Sequence, residues 1–163
     1  MAEHDVRSYT WTEMQGLCEG AAKAIHDNGF RPTVIVPILR GGCFPGLVLS
    51  HALAVRRLCP LRVATTLSDD IRAERMPPRV DIDTDLPITS QDVLLVDDVT
   101  NTGATLRAAK GALQRASPRS MLTVALVWDT VGTTQADARC EADIFVDKIA
   151  AWAQFPWEKV AKL

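Results

Sequence analysis

The chain has 163 residues, enough for one domain with a sizeable core. Hydrophobic residues make up 47% and charged residues 23%, which excludes a disordered chain and fits a globular one. A net charge of −2 gives no overall basic field, so neither nucleic acid nor an anionic membrane is an expected partner.

The opening MAEHDVRSYTW has no apolar run of signal-peptide length. Thr10-Trp11-Thr12-Glu13 is a capping-box pattern and predicts a helix from about Trp11. Met14, Leu17, Ala21, Ala24 and Ile25 give that helix one apolar face, and Asn28-Gly29 stops it. Residues 33–38 (TVIVPI) read as a buried strand. Residues 39–43 turn through two glycines, and Pro45 suits the start of a helix running to about Arg57. Residues 61–66 form a further short strand.

Residues 67–90 are polar and broken by Pro77, Pro78 and Pro87, and read either as a functional loop or lid or as a concealed short hairpin. Residues 93–96 (VLLV) are the clearest buried strand, ending in Asp97-Asp98. A Thr/Gly loop follows, then a helix through Leu106, Ala109 and Leu113 to about Ala116. Residues 121–128 are another strand, and 144–146 a candidate short one. This order implies one α/β domain over residues 1–163, with right-handed crossovers and a largely parallel central sheet flanked by helices. Ligands of such sheets bind at the carboxyl ends of the strands.

Cys18, Cys43, Cys59 and Cys140 are scattered without a CxxC pair, which argues against a zinc site and fits a reducing cytoplasm. His4, His26 and His51 have no ligand spacing. The most apolar run, 33–39, is too short to span a bilayer.

The chemistry concentrates in residues 93–106. A buried strand delivers two adjacent carboxylates, Asp97 and Asp98, to its carboxyl end. Vicinal carboxylates repel unless they meet hydroxyl donors or a cation. Thr100, Thr102 and Thr105 offer hydroxyls, and Gly103 allows close backbone approach. The helix that follows presents free N–H groups and the positive end of its dipole, which suit a phosphate. Hydroxyl acceptors beside a phosphate cradle match a sugar phosphate. The segment is neither a Walker loop nor a GxGxxG turn.

Residues 93–106 resemble the 5-phosphoribosyl pyrophosphate (PRPP) signature of the type I phosphoribosyltransferases. Tyr9-Thr10-Trp11, residues 34–45 (VIVPILRGGCFP) and Phe155-Pro156-Trp157-Glu158 are similar to the hypoxanthine/xanthine-type purine subgroup, so the resemblance covers nearly the whole chain. It implies the fold of that family, with a small C-terminal hood region. It also implies transfer of a phosphoribosyl group from PRPP to a purine-like base, giving a nucleoside 5′-monophosphate and pyrophosphate in purine salvage. Mg²⁺ is implied as cofactor, held mainly by PRPP and water with no dedicated protein ligand. A cytoplasmic homodimer is implied too.

The resemblance assigns the ribose hydroxyls to Asp97 and Asp98, and the 5′-phosphate to the loop Val99, Thr100, Asn101, Thr102, Gly103, Ala104 and Thr105. It assigns pyrophosphate to Leu39, Arg40, Gly41 and Gly42, where a strained or cis peptide is common; Arg40 otherwise reads as a surface arginine. Asp97, Asp98, Asn101 and Arg40 are the candidate catalytic residues. Residues 67–78, carrying Asp69, Asp70, Arg72, Glu74 and Arg75, are a lid candidate or simply an irregular loop. Trp157, with Phe155 and Trp152 nearby, either stacks on the base or anchors the C-terminal tail.

Two positions depart from the 6-oxopurine pattern. Asn101 stands where an aspartate usually handles the N7 proton, and an amide cannot be a general base. Asp129 stands where a lysine usually donates to the 6-oxo group; it either accepts from an exocyclic amino group or caps the turn at 129–132. These changes leave two further readings: a non-catalytic PRPP- or nucleotide-sensing protein, and an enzyme that ribosylates an unusual heterocycle.

Overall fold

The computed structural model describes residues 5–66, 75–81, 86–131, 133 and 140–159. Six strands form the main sheet, in the order β4-β3-β2-β5-β6-β7. They are β2 (Val34–Leu39), β3 (Leu61–Thr66), β4 (Arg75–Asp81), β5 (Asp92–Thr100), β6 (Ser120–Asp129) and β7 (Ile144–Ile149). Every neighbouring pair is parallel except β3–β4. A separate parallel pair joins β1 (Val6–Ser8) to β8 (Trp152–Gln154).

Helix α1 (Trp11–Asn28) begins with the expected capping box: the Glu13 amide donates to Thr10 Oγ1 at 3.2 Å, and the Thr10 amide donates to Glu13 Oε2 at 2.8 Å. It stops at Gly29, whose φ of 84° suits a residue without a side chain. Met14, Cys18, Ala21 and Ile25, spaced at the helical period, are buried on the sheet face shared with α2 (Cys43–Ala52). The other face packs Val34, Val36, Val93 and Leu95 beneath α3 (Ala104–Gln114). Side chains 93 to 96 are fully buried, and each such burial contributes about 1.5–3 kcal/mol. This anchors β5 at the centre of both apolar layers.

Three boundaries differ from the sequence expectation. Helix α2 ends at Ala52 and not near Arg57, because Ala54 turns to a φ of 55° and β2 captures the following chain. The Ile35 amide donates to Arg57 O at 3.0 Å and the Cys59 amide to Ile35 O at 2.9 Å. Strand β4 realises the hairpin alternative for the polar stretch, and takes in the last four residues of the lid candidate. Residues 67–74, with Asp69, Asp70, Arg72 and Glu74, lie outside the described residues. Strands β1 and β8 had no periodic signal because each is three residues long.

Among the described residues, no helix is long and apolar enough to cross a membrane. Thr10→Ala should cost about 0.5–2 kcal/mol by removing the side-chain cap of α1, read as a lower melting temperature in a thermal melt.

Candidate active site

Three adjacent parallel strands, β2, β5 and β6, end at the same edge of the sheet, and the candidate residues lie in or just past their last ladder pairs. After β2 the Leu39–Arg40 peptide is cis, and the chain turns so that the Gly42 amide donates to Ile38 O at 2.9 Å. A β-carbon at Gly41 would overlap the Asp98 carboxylate. One at Gly42 would lie 2.5 Å from Val96 O and 2.7 Å from Ile38 O. The two glycines therefore let the β2 loop rest directly on the end of β5. Helix α2 settles as closely: a β-carbon at Gly46 would stand 2.8 Å from Pro37 Cβ.

Strand β5 stays extended through both carboxylates, and Asp97 and Asp98 are only 7% and 8% exposed. Their oxygens meet backbone amides: Asp98 N–H donates to Asp97 Oδ1 at 3.1 Å, and Val99 N–H to Asp98 Oδ1 at 2.8 Å. Among the described residues, neither carboxylate has an ion pair with arginine or lysine. Burial pushes the Asp98 carboxyl up to about 6, and the nearby Glu158 charge adds to the rise. Burial, then the Asp98 charge, raises Asp97 as well. Such a pair is poised for a ligand that brings hydroxyl donors or a cation.

The loop after β5 runs through Asn101 and Thr102 to Gly103, whose φ of 74° opens α3. Gly103 has no side chain to cap that helix, so its first N–H groups face the loop; the Ala104 amide reaches Thr102 Oγ1 at a long 3.4 Å. Arg107, one turn in, bonds Thr102 O at 3.4 Å and is drawn off by Glu141 at 2.7 Å.

At the end of β6, Asp129 is 4% exposed and its Oδ1 accepts from Val131 N–H at 2.7 Å. This is the turn-capping bond that the sequence allows. Asn101 Nδ2 donates to Asp129 O at 2.8 Å and to Val131 O at 3.1 Å. Trp157 lies in a short 3-10 helix at Pro156–Lys159, stacked on Phe155 at 4.8 Å and 12°, with Phe44 at 5.2 Å and Trp11 at 6.0 Å. Its ring is half-buried against the starts of α1 and α2. Trp152 sits in β8, half-buried.

Two neighbours of Asp98 escaped sequence reasoning. Glu158 follows Trp157, and its Oε2 accepts from Phe155 N–H at 2.8 Å, which orients it towards the tail. Cys43 is exposed at the start of α2, its thiol raised by burial of the sulfur and by the Asp98 charge. Neither carried a sign of nearness to Asp98 in the sequence; the start of α2 and the C-terminal 3-10 helix bring them near. A shallow depression of about 510 Å³ at the opposite end of the sheet, beside Thr33, Leu53, Arg57 and Gln91, has no paired carboxylates or glycine loop.

A nucleophilic substitution on a phosphorylated sugar is the chemistry such a constellation can support, and the comparisons agree in kind. The phosphoribosyl transferase domain family matches residues 9–159, and the chain belongs to that family. It has the type I phosphoribosyltransferase fold. A purine phosphoribosyltransferase from Pyrococcus horikoshii superposes with a TM-score of 0.76 at 22% identity, covering 98% of this chain and 97% of that one. The Helicobacter pylori xanthine-guanine-hypoxanthine phosphoribosyltransferase gives 0.74 at 20% identity, with 94% of each chain covered. A Neisseria gonorrhoeae protein crystallised with bound ppGpp gives 0.77 at 16% identity, covering 96% of this chain and 91% of that one. At these identities the likeness is one of fold.

The raised carboxyls carry a stability consequence. An acid whose folded pKa exceeds its unfolded value near 3.9 favours the fold only while protonated, so stability falls as pH rises from about 4 through about 6. Asp98→Asn should therefore raise the melting temperature of the ligand-free protein at pH 7.5 by several degrees, at about 2–4 °C per kcal/mol, and change it little at pH 4. Differential scanning calorimetry at both pH values reads the difference.

Proposed function

We propose that this phosphoribosyltransferase transfers the 5-phosphoribosyl group from PRPP to a purine or purine-like base. The observation that carries the reading is the buried, raised carboxylate pair Asp97-Asp98 between a glycine loop and a helix N-terminus. Asp97 and Asp98 accept from the ribose 2′- and 3′-hydroxyls, which relieves their mutual repulsion. Val99, Thr100, Thr102, Ala104 and Thr105 surround the 5′-phosphate with hydroxyls and backbone N–H groups, at the positive end of α3. The backbone of Leu39, Gly41 and Gly42 and the exposed guanidinium of Arg40 meet the pyrophosphate oxygens.

In the reaction a base nitrogen attacks C1′ while the bond from C1′ to the pyrophosphate oxygen breaks and its electron pair leaves with pyrophosphate; the ring proton that the base gives up passes to water. Mg²⁺ bound to PRPP supplies the charge neutralisation that makes pyrophosphate a leaving group. The carboxylates that fit a cation-bearing sugar are Asp97 and Asp98, with Glu158 close to the second. Charge developing on the ribose ring at C1′ is met by the same carboxylates. The base is a substrate class rather than a single compound here, and a homodimer is the proposed assembly.

The rival reading is a nucleotide-sensing protein on the same fold, favoured by Asn101 in place of a general base. Pyrophosphate release from PRPP and Mg²⁺ across hypoxanthine, xanthine, guanine, adenine, pyrimidines and modified bases separates the two. Release with one class of base, abolished in Asp98→Asn, is the expected result. PRPP binding without release from any base in the panel would refute the transferase reading.

Gly41→Ala offers a second check. The added methyl overlaps the Asp98 carboxylate, so it should weaken PRPP binding by tenfold or more, about 1.4 kcal/mol, in a calorimetric titration. Undiminished affinity would remove Gly41 from the site.

A further inference from the structure

We infer that Asn101 is a positioning residue: its amide clamps the turn after β6 to the loop after β5 and thereby fixes the wall against which the incoming base is held. The inference rests on the phosphoribosyl-transfer reading above. An amide NH₂ has two hydrogens, and Asn101 directs both to one turn, at Asp129 O (2.8 Å) and Val131 O (3.1 Å). The same turn is closed from within by Val131 N–H on Asp129 Oδ1 at 2.7 Å. It is tied to β7 by Thr130, whose amide and hydroxyl donate to Ile149 O at 2.9 and 3.0 Å. Asn101 is thus the bridge from this turn to the loop that runs into Thr102 and Gly103.

The sheet order gives the bridge its meaning. Strand β5 lies between β2 and β6. With the pyrophosphate loop at the end of β2, the leaving group departs on that side of C1′. An in-line displacement brings the nucleophile from the opposite side, over the end of β6, where the clamped turn stands. Residue 101 is then an amide because two carbonyl oxygens face it. An ionised carboxylate, nearly the same shape but acceptor-only, would meet those oxygens with no proton to share. Asn101 acts through residues 129–131 and not by moving a proton of the base.

The test uses the full chain with Asn101→Asp and Asn101→Ala. Three quantities are measured: PRPP affinity by calorimetry with Mg²⁺, kcat and KM for the base found active in the panel, and hydrogen–deuterium exchange at residues 129–133. Both variants should raise the KM of the base about tenfold, the scale of two lost hydrogen bonds, and more than they weaken PRPP binding. In both, the Val131 amide should lose protection. A rate in Asn101→Asp above that of the unaltered protein would overturn the inference, since it would mean a carboxylate base is what the site lacks. A fall in PRPP affinity in place of base affinity, or unchanged KM and protection, would overturn it too. Should Asn101→Asp fail to fold, Asn101→Ala carries the same readouts. If the unaltered protein turns over no base, the transferase reading fails, and the exchange at Val131 still decides the clamp.

Discussion

Two carboxylates lie side by side and almost wholly buried at the end of β5, and the arrangement of the strand ends follows from holding them there. Left to itself such a pair would turn towards water. The strand that carries it is kept in place because Val93, Leu94, Leu95 and Val96 are fully buried in the two apolar layers. Gly41 lies against the Asp98 carboxylate, in a space that any β-carbon would fill. The raised carboxyls are the electrostatic mark of this confinement.

The surrounding loops are assembled by sheet order rather than by sequence order. Residues 40, 98 and 129 are far apart along the chain, and the β2-β5-β6 order brings them to one edge of the sheet. The C-terminal segment joins by a different route. Strand β8 pairs with β1, and the stacked Tyr9, Phe155 and Trp157 rings hold the tail over the start of α1. That packing delivers Glu158 to within electrostatic reach of Asp98. The aromatic residues at the tail therefore act first on the position of an acidic group.

The Asn101–Asp129 pair shows how a departure from a family pattern can be one structural unit. Read singly, an asparagine in place of a base and an aspartate in place of a donor look like two losses. In the fold, Asn101 donates to the carbonyls of the turn that Asp129 caps, so each residue suits the conformation the other maintains. The two bonds from Asn101 need a side-chain donor, and the bond from Val131 N–H needs a side-chain acceptor at 129.

The sequence by itself determined the features whose causes lie within a few residues. The capping box fixed the start of α1, the run VLLV fixed β5, and the Asp-Asp, threonine and glycine succession marked the turn from β5 into α3. Only the tertiary structure decided the bonds of Asn101 to the turn after β6, the packing of Trp157, the early end of α2 and the approach of Glu158 to Asp98. Each of these depends on a partner from a different element: the end of β5 for the turn after β6, the starts of α1 and α2 for Trp157, the edge of β2 for the chain after Ala52. Hydrogen bonds and ring contacts between distant elements leave no periodicity or local motif in the chain, because they are chosen by which strand ends the sheet brings side by side.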